Sequence, residues 1–143
     1  MNNITLAPPT EEQLRSGELG LKLRHYNYGF VGEYPKQEYI RLDARGENGR
    51  LLGGLRGFVF LYWLDVEVLF VEEDARGAGL GSRLLAEAER QAIALGAKNA
   101  KLSTFEWQAR GFYLKQGYEE YARIDDYAPG FYLAYMKKAL QAP

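Results

Sequence analysis

Residues 66–85 read Val66-Glu67-Val68-Leu69-Phe70-Val71-Glu72-Glu73-Asp74-Ala75-Arg76-Gly77-Ala78-Gly79-Leu80-Gly81-Ser82-Arg83-Leu84-Leu85. An apolar strand ends at Val71, a polar stretch follows, and glycines alternate at 77, 79 and 81 behind an arginine. Then the period changes: Leu80, Leu84, Leu85, Ala88, Ala92 and Leu95 recur at helical spacing over about four turns. Gly96 stands where a left-handed C-terminal cap belongs. Glycines at the start of a helix remove side chains where the backbone must approach something closely. The first amides of the helix lack internal partners and carry the positive end of its dipole. Arg76, Gly77, Ala78, Gly79, Leu80, Gly81 and Ser82 therefore form a candidate anion site suited to a diphosphate, to which Arg76 adds a charge-assisted contact. One or two glycines often make only a tight turn; three alternating behind an arginine favour the anion site.

Two phosphate-binding patterns are excluded. The Walker pattern needs Gly-x-x-x-x-Gly-Lys-Ser/Thr, and no such lysine is present. The dinucleotide fingerprint needs Gly-x-Gly-x-x-Gly opening a βαβ unit, whereas these glycines are two apart throughout and sit mid-chain.

Outward from this stretch, Leu51–Leu61 and Tyr62–Val71 read as strands rich in Leu, Val, Phe, Tyr and Trp. Before them, Tyr39, Ile40 and Leu42 give another strand, closed by turn chemistry at Glu47-Asn48-Gly49. Asn3 to Leu6 reads as a short first strand. Pro8-Pro9 stops it, and Thr10-Glu11-Glu12-Gln13 has the form of a capping box that opens a helix from about Glu11 to Asn27. Downstream, a strand over 100–104, a helix over 107–116 closing at Gly117, and strands over 118–124 and 131–136 complete the chain. Asp126-Tyr127-Ala128-Pro129-Gly130 forms the last turn. This pattern predicts a mixed α/β layer fold, a central sheet with helices packed on it, in a single domain over 1–143.

Composition narrows the function. The 143 residues carry a net charge of -1, without the dense basic field that nucleic-acid binding requires. There is no cysteine, so disulfides, thiolate metal sites and a cysteine nucleophile are excluded. His25 is the one histidine, which leaves no histidine-pair metal site and reads as a surface or satisfied core residue; no metal is expected. Met1 to Pro9 lacks the features of a signal peptide, and no apolar run approaches the roughly 20 residues that span a bilayer. A cytoplasmic protein without membrane contact is expected.

The glycine stretch also carries a family resemblance. Arg76-Gly77-Ala78-Gly79-Leu80-Gly81 resembles the Arg/Gln-x-x-Gly-x-Gly/Ala signature of the GCN5-related N-acetyltransferase (GNAT) superfamily, where it holds the coenzyme A pyrophosphate. Ala109-Arg110-Gly111-Phe112-Tyr113-Leu114-Lys115-Gln116-Gly117-Tyr118 is similar to that superfamily's Ala-x-x-Phe-Tyr-x-x-x-Gly-Phe/Tyr segment, at the usual separation. Together the matches span about Leu52 to Leu140. Leu52-Gly53-Gly54-Leu55, Ser103-Thr104-Phe105 before Gln108-Ala109, and Asp126 to Gly130 resemble a bacterial branch. Two departures stand out. Glu106 occupies a position where many members have a cofactor-contacting Asn, and Ala128-Pro129-Gly130-Phe131 replaces the branch's Pro-Pro-Gly-His.

The resemblance implies a GNAT fold: a mixed, mostly antiparallel, twisted sheet of six to seven strands with helices on both faces. It implies acetyl-CoA as acyl donor and transfer of the acetyl group to a primary amine of a small molecule, by direct attack with both substrates bound. A coenzyme A binding module without chemistry, and an enzyme that acetylates proteins, are the alternatives. The attacking ammonium must lose a proton, the carbonyl oxygen needs a donor as charge develops on it, and the departing thiolate is better released with a proton. Tyr113 matches the tyrosine that commonly protonates the sulfur; otherwise it is a core aromatic beside Phe112. Glu67 is the leading base, on the expectation that strand alternation puts Asp65, Glu67, Leu69 and Val71 on one face; otherwise it is a solvent-facing carboxylate. The backbone amides of Leu69, Phe70 and Val71 are expected on the pantetheine arm and thioester carbonyl. Tyr26, Asn27, Asp126 and Tyr127 are the acceptor candidates, since acidic and tyrosyl groups suit a cationic amine. Phe131, Tyr132 and Tyr135 suit sheet core or a homodimer contact.

Overall fold

The computed structural model describes residues 3–140. By its internal packing the chain divides after Tyr34 into an N-terminal unit and a unit that begins at Pro35.

The N-terminal unit is helical. Thr10 caps α1 (Glu11–Ser16): its hydroxyl accepts the Gln13 N–H at 3.1 Å, and Gln13 Oε1 accepts the Thr10 N–H at 2.8 Å. Such a cap contributes on the order of 1 kcal/mol. The single helix expected from Glu11 to Asn27 is instead two. Gly17 ends α1 in a left-handed conformation (φ 67°) that only glycine adopts cheaply, and α2 (Glu18–Val31) runs beyond Asn27. The strand expected over Asn3 to Leu6 does not form; those residues are without regular structure. Within this unit the Arg24 guanidinium lies 4.7 Å from the Tyr34 ring centroid and donates to the Tyr34 carbonyl.

The second unit is a six-stranded sheet in the order β1-β2-β3-β4-β6-β5. The strands are β1 (Glu38–Arg45), β2 (Leu51–Phe60), β3 (Trp63–Val71), β4 (Asn99–Phe105), β5 (Glu119–Ala128) and β6 (Phe131–Ala139). All neighbours are antiparallel except β3 and β4, whose chain directions agree because α3 (Leu80–Ala94) crosses between them. The glycine stretch thus lies on this crossover, and the GNAT-type sheet expected from the sequence is present with six strands. The amphipathic stripe of α3 buries Leu84, Leu85, Ala88 and Ala92, the last three in one core with Ile40, Leu55, Val59, Leu64 and Val66. The helix ends in a Schellman motif: Gly96 (φ 98°) donates to the Ile93 carbonyl and Ala97 to that of Ala92.

The helix expected over 107–116 is shorter, α4 (Arg110–Lys115), because side chains take the preceding amides. Gln108 Oε1 accepts the Phe105 N–H at 2.7 Å, and the Thr104 hydroxyl accepts the Ala109 N–H at 3.2 Å. Trp107 therefore lies in a turn. A second Schellman motif at Gly117 (φ 93°) turns the chain inward, so Tyr118 is buried and donates to Glu89 at 2.8 Å. Glu89 in turn accepts from Lys138 at 2.9 Å, tying α3 to β6.

Burial pushes the Tyr113 phenol up to about 12, and burial beside the Glu89 carboxylate pushes that of Tyr118 well above its ordinary 10.0. The folded chain thus keeps protons that the unfolded chain releases from about pH 10 upward, so this stability is constant below that point and is lost as pH rises further. Thermal melts between pH 8 and 11.5 are expected to be level and then fall, with a shallower fall in Tyr118→Phe. An equally steep fall in that variant would assign the loss to other groups.

Candidate active site

The strand that enters the glycine stretch is not regular. Arg56 faces Val68 and Gly57 faces Val66, so Glu67 is the extra residue of a β-bulge. The bulge resets the side-chain alternation. Leu64 and Val66 are buried in the core and Leu69 packs against it, while Val68 and Phe70 are exposed. Asp65, Glu67, Leu69 and Val71 therefore do not share one face as expected, because one inserted residue shifts every later side chain across the sheet. Glu67 is exposed at the bulge, and its carboxylate has no hydrogen bond or ion pair among the described residues. Asp65 pairs instead with Lys101 on β4, at 2.5 Å.

β3 and β4 also part company here. Their pairing runs from Trp63–Asn99 to Val66–Leu102 and stops, while β4 continues alongside β6 as far as Phe105–Leu133. Beyond Val66, β3 keeps β2 on one side and has no strand on the other. The Glu72 N–H donates to the Leu52 carbonyl on β2, so alternation turns the backbone of Phe70 toward β2 and that of Leu69 and Val71 into the gap. The Val71 carbonyl is met there by Arg76 Nε at 2.9 Å.

After a single 3-10 turn at Glu73–Ala75, Gly77 (φ 88°) and Gly79 (φ 81°) take left-handed backbone conformations that bend the chain into α3. No atom lies within 4 Å of where a Cβ would stand on either; the glycines are required for the turn's shape and leave its outer surface bare. Gly79 is the N-cap and has no side chain to serve the first turn. The first helical bond is Arg83 N–H to Gly79 carbonyl at 3.0 Å, so the amides of Leu80, Gly81 and Ser82 face out of the helix end unclaimed by it. Ala78 is exposed beside them. The arrangement fits a polyanion bound by backbone amides. Arg76 is partly committed: its guanidinium also lies 5.7 Å from the centre of the exposed Phe70 ring.

α4 is fastened to this loop. The Phe112 ring would lie 3.4 Å from a Cβ at Gly81, so that glycine admits the ring, and Gln116 Nε2 donates to the Ser82 hydroxyl at 2.9 Å. Tyr113 follows, 7% exposed, with its ring edge-on to Phe112 and Tyr118. Its hydroxyl has no hydrogen-bond partner among the described residues, yet no fully enclosed polar side-chain atom there lacks one, so the hydroxyl reaches open space. The raised phenol pKa keeps it protonated throughout the neutral range.

The end of β5 and its turn into β6 stand at the same end of the sheet; β5, expected to end at 124, runs on to Ala128 through an irregularity after Ile124, so the turn expected over 126–130 narrows to Pro129-Gly130. Asp126 (φ 51°) accepts the Gly130 N–H at 3.2 Å, and Tyr127 sets its ring edge-on to Phe105. Glu106 is occupied: its carboxylate accepts the Tyr132 N–H at 3.2 Å and its own N–H donates to the Tyr132 carbonyl at 3.0 Å. In the N-terminal unit, Tyr26 is exposed against Phe30 and Asn27 Nδ2 donates to the Tyr34 hydroxyl at 3.2 Å. His25 is an exposed residue stacked on Tyr28.

Residues 38–120 match the family model of the acetyltransferase (GNAT) domain. The chain belongs to the GNAT acetyltransferases. It is 50% identical over 88 residues to the blasticidin-S acetyltransferase of Streptomyces morookaense, a match covering 61% of this chain and 65% of that protein. An acetyltransferase of Agrobacterium fabrum is 30% identical over 113 residues, 79% of this chain and 82% of the relative. Among solved structures, an acetyltransferase from Bacillus cereus superposes with a TM-score of 0.83 at 29% identity, covering 96% of this chain and 98% of its own. The bulge lies beside Gly57, where an added Cβ would lie 2.6 Å from the Asp65 carbonyl oxygen. Gly57→Ala is expected to cost about 1–3 kcal/mol, the usual price of overpacking, as a lowered melting temperature; an unchanged melt would show that the two strands can separate freely.

Proposed function

We propose that this GNAT protein, as one domain over 1–143, transfers the acetyl group of acetyl-CoA to a primary amine of a small molecule. The observation that carries this reading is the conjunction of outward amides at the start of α3 with a β3 edge left open beyond Val66. Backbone amides of Leu80, Gly81 and Ser82, with Arg76 beside them, suit the pyrophosphate. The free backbone positions of Leu69 and Val71 suit the amide-bearing arm, and the Leu69 N–H is our candidate donor to the thioester carbonyl oxygen. Phe70 contributes its ring to the placing of Arg76.

Acetyl-CoA supplies an activated acyl group: a C–N bond forms to the amine nitrogen while the C–S bond breaks; the ammonium loses one proton before attack, and the nitrogen loses a second as the amide forms, replacing the one that the leaving sulfur takes up. Glu67, exposed and unpaired at the bulge, is assigned as the group that takes the first proton, directly or through water. Tyr113 is assigned as the proton donor to the sulfur: its open hydroxyl is held protonated, and its ring is fixed by Phe112 and Tyr118. Asp126 and Tyr127 are assigned to the acceptor. The name of the 50% identical relative, which makes blasticidin S its acceptor, supports a small-molecule substrate.

Calorimetric titration with acetyl-CoA, coenzyme A, NAD and ATP is expected to give saturable binding of the first two alone. Binding of none by the folded protein would reduce the glycine stretch to a turn. Tyr113→Phe is expected to keep acetyl-CoA affinity and lose roughly 10²-fold or more in kcat, in the range of general acid catalysis. Unchanged turnover would remove Tyr113 from the chemistry.

A further inference from the structure

Four aromatic rings gather where β4 ends. Phe105 and Trp107 stack nearly parallel, with centroids 4.4 Å apart and planes at 9°. Phe131 meets Trp107 edge-on at 5.0 Å, and Tyr127 meets Phe105 edge-on at 5.5 Å. Despite these contacts, Trp107 is 54% exposed, Tyr127 54% and Phe131 43%. The indole stacks on Phe105 and meets Phe131 at right angles, and more than half its surface is left to solvent. Because β3 and β4 are parallel, this cluster and the glycine loop lie at the same end of the sheet.

The surroundings are acidic. Glu106, Asp125 and Asp126 interleave with the rings in sequence, and no lysine or arginine occurs between Ile124 and Met136. The neighbouring Arg123 is engaged: it pairs with Glu120 at 2.9 Å and lies 3.7 Å from the Tyr132 ring centroid. Exposed aromatic faces beside carboxylates suit a cation with a flat, polarisable body. As a surface for a second protein the cluster is small. Rings of this kind bury roughly 150–250 Å² each when fully covered, and the exposed halves fall well short of the roughly 800 Å² per partner of a stable interface.

We propose that Trp107, with Tyr127 and Phe131, is a stacking platform that selects acceptor amines carrying a flat unsaturated ring. The proposal rests on the acetyltransferase reading and names the acceptor class for it. Trp107 acts on acceptor binding, so its effect falls mainly on KM for the amine.

The test compares acetylation of 2-phenylethylamine and tryptamine with that of 2-cyclohexylethylamine, an amine of the same chain length whose ring has no π face. Wild type is expected to favour the aromatic amines about tenfold in kcat/KM, in line with a stacking contact. Trp107→Ala is expected to bring that ratio near one, and Trp107→Phe to restore part of it. A wild-type ratio near one, or a ratio that survives in Trp107→Ala, would overturn the platform. So would self-association in sedimentation velocity that Trp107→Ala abolishes, since the rings would then cover a second copy. Calorimetric affinities for the same amines in protein saturated with coenzyme A give the ratio independently of turnover. Failure to bind acetyl-CoA or to turn over therefore counts against the acetyltransferase reading and is distinguishable from failure of the platform.

Discussion

The parting of β3 from β4 after Val66 and Leu102 is the constraint on which the rest of the second unit depends. Two parallel strands that stayed paired would consume every backbone group between them. Here the bulge at Glu67 adds local twist to β3, and β4 follows β6 instead. The gap leaves the backbone of Leu69 and Val71 without a strand partner at the centre of a sheet, a position where unpaired peptide groups are costly. Arg76 satisfies one of them, the Val71 carbonyl. An elongated ligand with its own amides would offset the remainder, which is why the gap and the glycine loop belong to one site.

The helices are placed by that same end of the sheet. α3 starts from the glycine loop that follows β3, and its first turn carries no capping side chain, a loss of roughly a few tenths of a kcal/mol relative to a serine or aspartate cap. The missing cap leaves those amides available to an anion. α4 is then held against the loop by two contacts, Phe112 on Gly81 and Gln116 on Ser82, while Tyr118, Glu89 and Lys138 fix its far end. Tyr113 is thereby immobilised among rings while its hydroxyl keeps access to open space. A phenol so placed is held neutral by burial, and its ring position is decided by packing before any ligand arrives.

Much of this was legible in the sequence because it is written in residues with narrow conformational roles. Glycines at 77, 79, 96 and 117 marked the loop and both helix ends, and the Thr10–Gln13 box marked the start of α1. The helical period of α3 gave its buried stripe directly. The bulge left no comparable signal: Glu67 among apolar neighbours reads as alternation, and only the pairing register with β2 reveals the inserted residue. Gly57 was the available clue, a glycine inside an apolar strand, which often marks such an irregularity. Gly17 weakens a helix without dictating a break, and the cap at Thr10 supports one continuous helix. The start of α4 was placed too early because Gln108 and Thr104 satisfy the chain by side-chain bonds that periodicity does not register. Trp107, read as the first residue of that helix, counts toward a packed face rather than an exposed turn.

The two ends of the candidate site are encoded differently. At the proposed donor end, the chain offers outward amides and open backbone, which depend on a glycine pattern and a strand gap. At the proposed acceptor end the surface is made of side chains: Trp107, Tyr127 and Phe131, with Asp126 bracing the β5–β6 turn on the Gly130 N–H. Glu106 shows how the two regimes meet. Its carboxylate is spent on the Tyr132 N–H, and its own backbone extends the bonding between the end of β4 and the start of β6. It therefore steadies the turn that carries Trp107 on one side and the strand that begins with Phe131 on the other. An asparagine there could accept from the same N–H, but only the carboxylate adds negative charge beside the rings, which favours a cationic acceptor. On the proposed reading Glu106 belongs with acceptor selection, while the donor would be held by a backbone that requires little from it.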